Sequence, residues 1–520
     1  MKKREKVKKQ IGLLAAGIIA VSGLLAGCGS GKNTDTGNKE VLRVEIFERG
    51  DVPEGAGSIT DNAMTKWVQE EFGDPNGIKV EYVSVPRASE ASQLNIFMAA
   101  NEAPDIIFTY DYSALYDYYA KGGLADLSNY VDKAPQLVEF LGEDLLEVGQ
   151  IDGKQILIPA KRLVRGQTGQ LIRKDWLDVL GMEVPTTTEE FYNVLKAFKE
   201  KDPGNNGDKN IPFGFSFHTA MFTDLIANFI TSDMTDKEVT CTPRVLQDGF
   251  KEGLRFINKM YNEGLLSPDF ALDKDRKQYD SDVANGYVGF INDDLGRPLQ
   301  SGGIYSTLKK SNPNAEFVAL DTWTNKDGKH LKTVYSMNGM YIAVPKTSEK
   351  NVENVMKYLN WMADDDVLKT LQYGFEGKNY KLDENGIPEI IDTEEANKTH
   401  WYNLGFDLAL IVNGKYNPDP EKIIDMAAIA TVAPDVYREN AKYSIEDGFC
   451  KKVLPPINEN KTLLETALYE IEDEIYVKGI MASEETFDSV VDKLIEEYKK
   501  AGGEELKKIN EELYEQAYKE

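Results

Sequence analysis

The chain has little of what enzymes most often use for catalysis. Among its 520 residues there are only three histidines and three cysteines: His218, His330, His400, Cys28, Cys241 and Cys450. No two histidines stand at metal-ligand spacing, and there is no Gly-x-Ser-x-Gly elbow and no glycine-rich phosphate loop before a helix. Carboxylate pairs for glycoside hydrolysis stay open, because 87 acidic residues offer many pairings and only their distance in space matters. These absences favour binding without turnover.

Positive charge is also scarce. The chain has 60 lysines and arginines against 87 acidic residues, which gives a formal net charge of −27. Residues 1–27 carry six basic side chains and one acidic one, so the rest of the chain is more negative still. A surface of this sign repels nucleic-acid phosphates and anionic lipid headgroups. The composition therefore excludes a nucleic-acid partner and electrostatic docking to a membrane.

The low cysteine content excludes a disulfide framework and a cysteine-based zinc site. Two interpretations stay open for Cys241 and Cys450. They could form one disulfide in an exported protein, or they could be two unpaired, buried thiols. Sparse cysteine in a large domain favours the unpaired state.

The N-terminus has the pattern of a secretory signal. A basic run precedes an apolar segment from Ile11 to Leu25, and that segment is shorter than the roughly 20 residues that a membrane-spanning helix needs. The alternative is an uncleaved membrane helix. Leu25-Ala26-Gly27-Cys28 resembles the lipobox of bacterial lipoproteins, in which the cysteine is alkylated with a diacylglyceryl group and the preceding peptide is removed. The resemblance implies export and anchoring to the outer face of the cell membrane through lipidated Cys28.

Residues 1–27 are predicted to be the signal peptide, and residues 28–40 the lipidated cysteine with a flexible tether. After residue 40 the spacing of apolar residues is typical of an α/β fold. Alternating and helical apolar periods give strand, helix, strand, helix, strand between Val41 and Phe108, which predicts a parallel sheet with right-handed crossovers. Ligands bind outside the carboxyl ends of such strands. Two polar segments follow those ends, one beginning at Glu48 and one at Thr109. About 490 residues exceed what one core usually serves, so two or more domains are expected.

Several segments resemble a known family. The segment 103–108, followed by 119–127, resembles the first lobe of maltose-binding protein and its relatives, the family 1 extracellular solute-binding proteins. The segments 172–191 and 373–380 resemble the branch with alginate-oligosaccharide-binding lipoproteins of ABC importers. This resemblance implies an α/β, two-lobed periplasmic-binding-protein-like fold (type II), with parallel-rich sheets flanked by helices and a hinge between the lobes. Lobe 1 is expected over 41–160 and 339–392, and lobe 2 over 161–338 and 393–520.

The resemblance also implies that polar and aromatic residues after the buried strands contact the ligand. Trp323 and Trp401 are added because they stand in polar surroundings, where an aromatic face could cover a sugar ring. Ordinary packing is the alternative for the aromatic candidates. The candidate ligand-binding residues are Glu48, Arg49, Tyr110, Asp111, Tyr112, Arg162, His218, Trp323, Trp401 and Tyr402.

Residues 202–210 occupy the place where that branch often has an EF-hand-like calcium loop. Asp202, Asn206, Asp208 and Asn210 fit the alternate spacing of calcium ligands. Gly204 stands where a third side-chain ligand belongs, so a plain Asn-Gly turn is favoured over a calcium site. No cofactor is required.

The resemblance to family 1 solute-binding lipoproteins implies a lipid-anchored, monomeric receptor, and the lack of catalytic signatures favours a protein without enzymatic activity. It would capture a carbohydrate, an oligosaccharide above all, by hinge closure and deliver it to the permease subunits of an ABC transporter. The alternatives are a surface-anchored carbohydrate-active enzyme and a peptide-binding or signal-sensing lipoprotein of the same fold.

Overall fold

The computed structural model describes residues 40–218, 222–230, 233–454 and 459–518. Residues 1–39, with the predicted signal peptide, Cys28 and most of the predicted tether, lie outside the described residues. Within the described residues, no helix is long and apolar enough to cross a membrane.

The strands are mostly short. In chain order they are β1 (Glu40–Glu48), β2 (Ile78–Pro86), β3 (Ile107–Thr109), β4 (Gln150–Ile151), β5 (Lys154–Gln155), β6 (Leu157–Arg162), β7 (Thr168–Arg173), β8 (Ile211–Gly214), β9 (Val288–Asp294), β10 (Phe317–Leu320), β11 (Lys332–Thr333), β12 (Asn338–Ala343), β13 (Tyr380–Leu382), β14 (Pro388–Ile390), β15 (Val412–Asn413) and β16 (Gly448–Phe449).

Helices surround the sheets. In chain order they are α1 (Ala63–Val68), α2 (Asp74–Asn76), α3 (Glu90–Ala100), α4 (Tyr112–Ala120), α5 (Pro135–Leu141), α6 (Glu143–Glu147), α7 (Lys174–Leu180), α8 (Thr188–Lys201), α9 (Thr223–Ala227), α10 (Asp236–Cys241), α11 (Phe250–Asn262), α12 (Lys277–Ala284), α13 (Ile304–Ser311), α14 (Val352–Met362), α15 (Asp365–Tyr373), α16 (Glu394–Thr399), α17 (Tyr402–Leu408), α18 (Ile423–Ala428), α19 (Pro434–Ile445), α20 (Glu459–Met481), α21 (Phe487–Tyr498) and α22 (Glu504–Ala517).

The first lobe is built on the sheet β15-β6-β12-β3. Strand β1 contacts this sheet through a parallel bridge between Val44 and Ile106, the residue before β3, and the Glu45 amide donates to the Ile106 carbonyl oxygen at 3.0 Å. Apolar residues of β1, β3, β6 and β12 form one core with helix α14. Strand β1, helix α1, strand β2, helix α3 and strand β3 follow one another along the chain, which confirms the predicted order of strands and helices from Val41 to Phe108.

The second lobe is built on the sheet β10-β7-β9-β8. Its core is rich in aromatic rings. Phe191 of α8 lies 4.7 Å from Phe290 of β9 and 6.1 Å from Phe213 of β8, measured between ring centroids. The C-terminal helices α20 and α21 pack on this lobe through Leu468, Ile475 and other apolar side chains.

Strand direction differs from the prediction of parallel-rich sheets. In each four-stranded sheet of the described chain, one ladder is parallel and two are antiparallel. The reason in the first lobe is the path of the chain. It leaves that lobe along β6 and returns along β12, so these neighbouring strands run in opposite directions.

The chain passes between the two sheets at three places. The first passage joins β6 to β7, the second joins β10 to β12, and the third follows β15. The sequence predicts that the chain leaves lobe 1 for the last time after residue 392. In the structure this third passage comes after β15, because Trp401, Leu404 and Ile411 still belong to the core of the first lobe. A sequence without geometry does not show which core an amphipathic helix joins.

Candidate ligand-binding site

A cavity of about 220 Å³ lies at the carboxyl ends of β1 and β3. Strand β1 contributes Phe47 and strand β3 contributes Phe108, and Arg49 and Tyr110 follow directly behind them. Helix α17 and strand β15 close the other side. This is the sheet edge at which the sequence predicts the ligand.

Arg49 is bound into the wall of the cavity. Its Nε and Nη2 atoms donate to the two carboxylate oxygens of Asp407 at 2.9 and 2.8 Å, a bidentate pair. Burial raises the pKa of the Asp407 carboxyl, and the Arg49 guanidinium draws it back down. The pair fixes helix α17 against the end of β1 and leaves Arg49 largely neutralised.

Tyr110, Asn413 and Arg162 form a hydrogen-bonded chain beside the cavity. Asn413 donates from Nδ2 to the Tyr110 hydroxyl at 2.9 Å and accepts from Arg162 Nη1 at 3.0 Å. The Arg162 guanidinium lies 4.3 Å above the centroid of the Tyr335 ring. Tyr110 and Tyr335 are 43% and 39% exposed, so each offers a ring face to solvent.

The Tyr110 hydroxyl stays protonated at neutral pH. Burial raises the pKa of Tyr110 above its ordinary value, although the guanidinium groups of Arg162, Arg87 and Arg49 oppose this effect. A protonated hydroxyl that already accepts from Asn413 keeps its own hydrogen for a ligand oxygen.

Three expected contact residues have local roles. Glu48 accepts from the Gly50 amide at 2.7 Å, and Asp111 caps helix α4 by accepting from the Ala114 amide at 3.0 Å. Tyr112 packs against Tyr341 of β12 with the ring centroids 5.3 Å apart. These contacts stabilise the turns that hold the cavity, and none of the three residues lines it.

The two tryptophans predicted to stack on a sugar are buried. Trp323 is 0% exposed and packs among Phe191, Phe213 and Phe290 in the core of the second lobe. Trp401 is 6% exposed and belongs to the core of the first lobe. The prediction of two tryptophan platforms is therefore wrong, because polar neighbours along the chain did not mean a polar environment in space.

Tyr402, next to Trp401, is the aromatic residue of this segment that reaches solvent. It is 55% exposed, and its ring lies 5.2 Å from that of Phe406, which lines the cavity. The ammonium group of Lys415 lies 4.9 Å from the Tyr402 ring centroid. The ring of Tyr402 is thus placed at the margin of the site.

His218 lies in the second lobe, beside a network of charged groups at the end of β9. Arg276 pairs with Asp293 and Asp294 at 3.0 and 2.9 Å, and Arg297 pairs with Asp293 at 2.7 Å. Burial lowers the pKa of His218, and the two arginines lower it further. At neutral pH the imidazole is uncharged and can both donate and accept.

The sequence missed the residues of helix α17 and strand β15 that line the cavity. Asp407 and Asn413 line the cavity although about 300 residues separate Asn413 from Tyr110. In this region Tyr402 has a sequence signal for ligand binding, since it is aromatic and stands among polar residues. Contacts at such separation depend on the fold and leave no local pattern.

The predicted calcium loop is closed by its own hydrogen bonds. The Asp202 carboxylate accepts from the backbone amides of Asn206 at 2.9 Å and Gly207 at 2.7 Å. A Cβ at Gly204 would come within 2.5 Å of the Trp176 ring, so no side-chain ligand fits there. In the described ranges, no group of three or more His, Cys, Asp or Glu residues is placed to hold a metal ion. The buried Asn210 Oδ1 has no hydrogen-bond partner and would suit an ion, but the Asp202 carboxylate already binds two amides and Gly204 offers no ligand, so these residues fit calcium poorly.

Cys241 and Cys450 do not form a disulfide with each other. Cys241 is buried and Cys450 is half-buried, and both are free thiols. This agrees with the unpaired state that the sequence favours, although Cys450 is less buried than expected.

Comparison with known proteins gives a family match and relatives over nearly the full length. The model of the family described as bacterial extracellular solute-binding protein matches residues 56–369. Lipoprotein LipO of Bacillus subtilis (strain 168) is 26% identical, covering 94% of this chain and 96% of LipO. The polygalacturonan/rhamnogalacturonan-binding protein YtcQ of the same organism is 22% identical, covering 97% of this chain and 98% of YtcQ.

A solved structure shares the fold. The HMO-binding, ABC-transporter-associated solute-binding protein from Bifidobacterium longum infantis superimposes with a TM-score of 0.67 at 19% identity. The match covers 92% of this chain and 99% of that chain. At this identity the likeness supports the two-lobed architecture alone.

Proposed function

Because the chain belongs to the family of bacterial extracellular solute-binding proteins, we propose that it captures an oligosaccharide between its lobes and passes it to the permease subunits of an ABC transporter. The ligand leaves chemically unchanged. Lipidated Cys28 anchors the monomeric receptor to the outer face of the cell membrane, and the name of LipO, a lipoprotein, supports this anchoring.

The observation that carries the proposal is the joint display of aromatic faces and hydrogen-bonding groups. Tyr110 and Tyr335 offer exposed rings, and between them Arg162 and Asn413 hold a chain of hydrogen bonds. An aromatic ring covers the C–H face of a sugar while nearby polar groups bind its hydroxyls. The polysaccharides in the name of YtcQ support the same ligand class.

The three passages between the sheets support closure about a hinge. We place lobe 1 at 41–162 and 338–413, and lobe 2 at the residues between and after them. At the hinge the Arg162 amide donates to the Met337 carbonyl oxygen at 2.7 Å, and the Tyr335 amide donates to the Arg165 carbonyl oxygen at 2.8 Å. A ligand that contacts both lobes shifts the open–closed equilibrium toward the closed state.

Titration calorimetry against a panel of oligosaccharides and a panel of peptides tests the proposal. We expect saturable binding of an oligosaccharide, and chromatography of the recovered glycan should show no cleavage. Tyr110→Ala should weaken binding about tenfold or more, since an aromatic contact and a hydroxyl are lost.

The matched control is Tyr469→Ala, which removes a 63% exposed tyrosine from helix α20 of the second lobe. This variant should bind as the unchanged protein does. Product formation from the glycan would identify a carbohydrate-active enzyme instead. Binding of peptides without any glycan would identify a peptide receptor.

A further inference from the structure

Three arginines at the hinge have no acidic partner. Most arginines in the described residues form an ion pair with a carboxylate, for example Arg276 and Arg297. Arg162, Arg165 and Arg244 form none within 4.0 Å in the described part of the chain. This is unexpected in a protein with 87 acidic residues and a net charge of −27.

The three guanidinium groups lie in one place. Arg162 stacks on the ring of Tyr335, and Arg165 Nε donates to the carbonyl oxygen of the same residue at 2.8 Å. Arg244 Nη2 reaches the hydroxyl of Thr333, two residues earlier, at 3.5 Å. All three therefore surround the segment from Thr333 to Tyr335, where the second passage runs between the lobes.

The strand that pairs with this segment brings further groups. Strand β11 pairs with β16, and Cys450 and Lys451 follow β16 directly. Burial raises the pKa of the Cys450 thiol, while the nearby guanidinium groups of Arg165 and Arg162 lower it. Burial and the charge of Arg244 lower the pKa of Lys451 to about 8, against the opposing charge of Glu472. Glu472 and Asp224 thus offset part of the charge near Arg244 and Lys451. In the described part of the chain no carboxylate oxygen lies within 4.0 Å of the Arg162 or Arg165 guanidinium group.

Partly buried cations of like sign raise the free energy of a protein unless an anion joins them. Arg162 donates a hydrogen bond from Nε to the Asn338 carbonyl oxygen and another from Nη1 to Asn413 Oδ1. Its Nη2 makes no hydrogen bond to any residue in the described ranges. A carboxylate binds the planar guanidinium group better than a hydroxyl does, through shorter and stronger charged hydrogen bonds.

We propose that the oligosaccharide is acidic, and that Arg162 and Arg165, with Arg244 beside them, bind its carboxylate groups. The inference rests on the proposed function and narrows its ligand class. It also gives the three arginines the acidic partners that they lack within 4.0 Å in the described part of the chain. Neutral oligosaccharides would leave the charge of the cluster uncompensated.

Calorimetry on the full-length protein tests this inference with matched ligands. The acidic probes are oligogalacturonates and hyaluronan oligosaccharides, and each is compared with its carboxyl-reduced, neutral form. We expect the acidic form to bind at least about tenfold more tightly, because one charged hydrogen-bonded contact is worth that much or more. Added sodium chloride should weaken binding of the acidic form only.

Arg162→Gln and Arg165→Gln should each lower the affinity for the acidic probe about tenfold. Arg255→Gln is the control. It removes the same charge from helix α11, where Arg255 pairs with Asp488 on helix α21, and it should leave affinity unchanged. Circular dichroism and thermal melting show whether each variant is folded, and the salt series on the unchanged protein does not depend on any variant.

Equal affinity for neutral and acidic forms, or tight binding by folded Arg162→Gln and Arg165→Gln, would overturn the inference and leave the proposed function standing. Failure of every glycan, acidic and neutral, would overturn the proposed function and the inference together.

Discussion

Glu45 holds a carboxyl group in the interior of the first lobe. Its Oε2 accepts from the Phe108 amide at 3.0 Å, and its Oε1 has no hydrogen-bond partner. Burial raises the pKa of this group from 4.5 to about 8, the Phe108 amide opposes the shift, and the nearby Glu90 adds to it. The neutral form therefore stabilises the fold below about pH 4.5, and this contribution is lost as the pH rises through 8.

Glu45→Gln keeps the acceptor for Phe108 and cannot ionise. We expect the variant and the unchanged protein to have similar free energies of unfolding at pH 5. At pH 8.5 the variant should be more stable by about 1–3 kcal/mol, since the unchanged protein must then bury a charge or bind a proton. Urea unfolding at both pH values measures this. A stability difference that does not change with pH would contradict the pKa shift of Glu45.

At the residue scale, prediction from the sequence succeeded where position along a strand decides the role. Arg49 and Tyr110 follow directly after buried strands, and both line the cavity. Prediction failed for Trp323, because its burial depends on Phe191 and Phe290, which are distant in sequence. It failed for Asp407 because nothing near that residue in the sequence marks its pairing with Arg49.

At the scale of elements, local rules are sufficient for many helices. Helix α8 carries two local helix signals, acidic residues in its first turn and a buried apolar stripe, and Thr187 is its N-cap, accepting from the Glu190 amide at 3.2 Å. The strand directions needed more than local rules. They depend on the path by which the chain leaves and re-enters each lobe.

A prediction at the scale of elements concerns calcium binding by the loop that follows α8. We propose that residues 202–210 fold without calcium, because the Asp202 carboxylate already binds the amides of Asn206 and Gly207. The melting temperature should then be the same in calcium chloride and in a chelator. Asp202→Ala should cost about 1–2 kcal/mol in both solutions, since two amides lose their acceptor.

Asp202→Asn is the matched variant, because it keeps one acceptor oxygen and tolerates the left-handed backbone of Asp202, with φ 43°. It should lose less stability than Asp202→Ala. A melting temperature that rises with calcium in the unchanged protein, and no longer rises in Asp202→Ala, would show that the loop binds the ion.

At the scale of the whole molecule, the two-lobed α/β fold could be predicted from the resemblance of the segments 103–127, 172–191 and 373–380. The family match over residues 56–369 confirms that resemblance. The meeting of distant segments could not be predicted. The site joins the ends of β1 and β3 to helix α17 and strand β15, whose Asn413 lies more than 300 residues after Tyr110.

Closure of the lobes is the prediction at this scale. Small-angle X-ray scattering should show a smaller radius of gyration when a bound oligosaccharide is present. Tryptophan emission should change little. Trp176, Trp323 and Trp401 lie inside the separate cores of the two lobes, and Trp67 and Trp361 pack together against the core of the first lobe, so all five keep their surroundings as the lobes move. Tyr110→Ala, which weakens the contact of the first lobe with the ligand, should need a higher ligand concentration for the same contraction. An unchanged radius of gyration at saturating ligand would mean that the ligand binds to one lobe without closing the hinge.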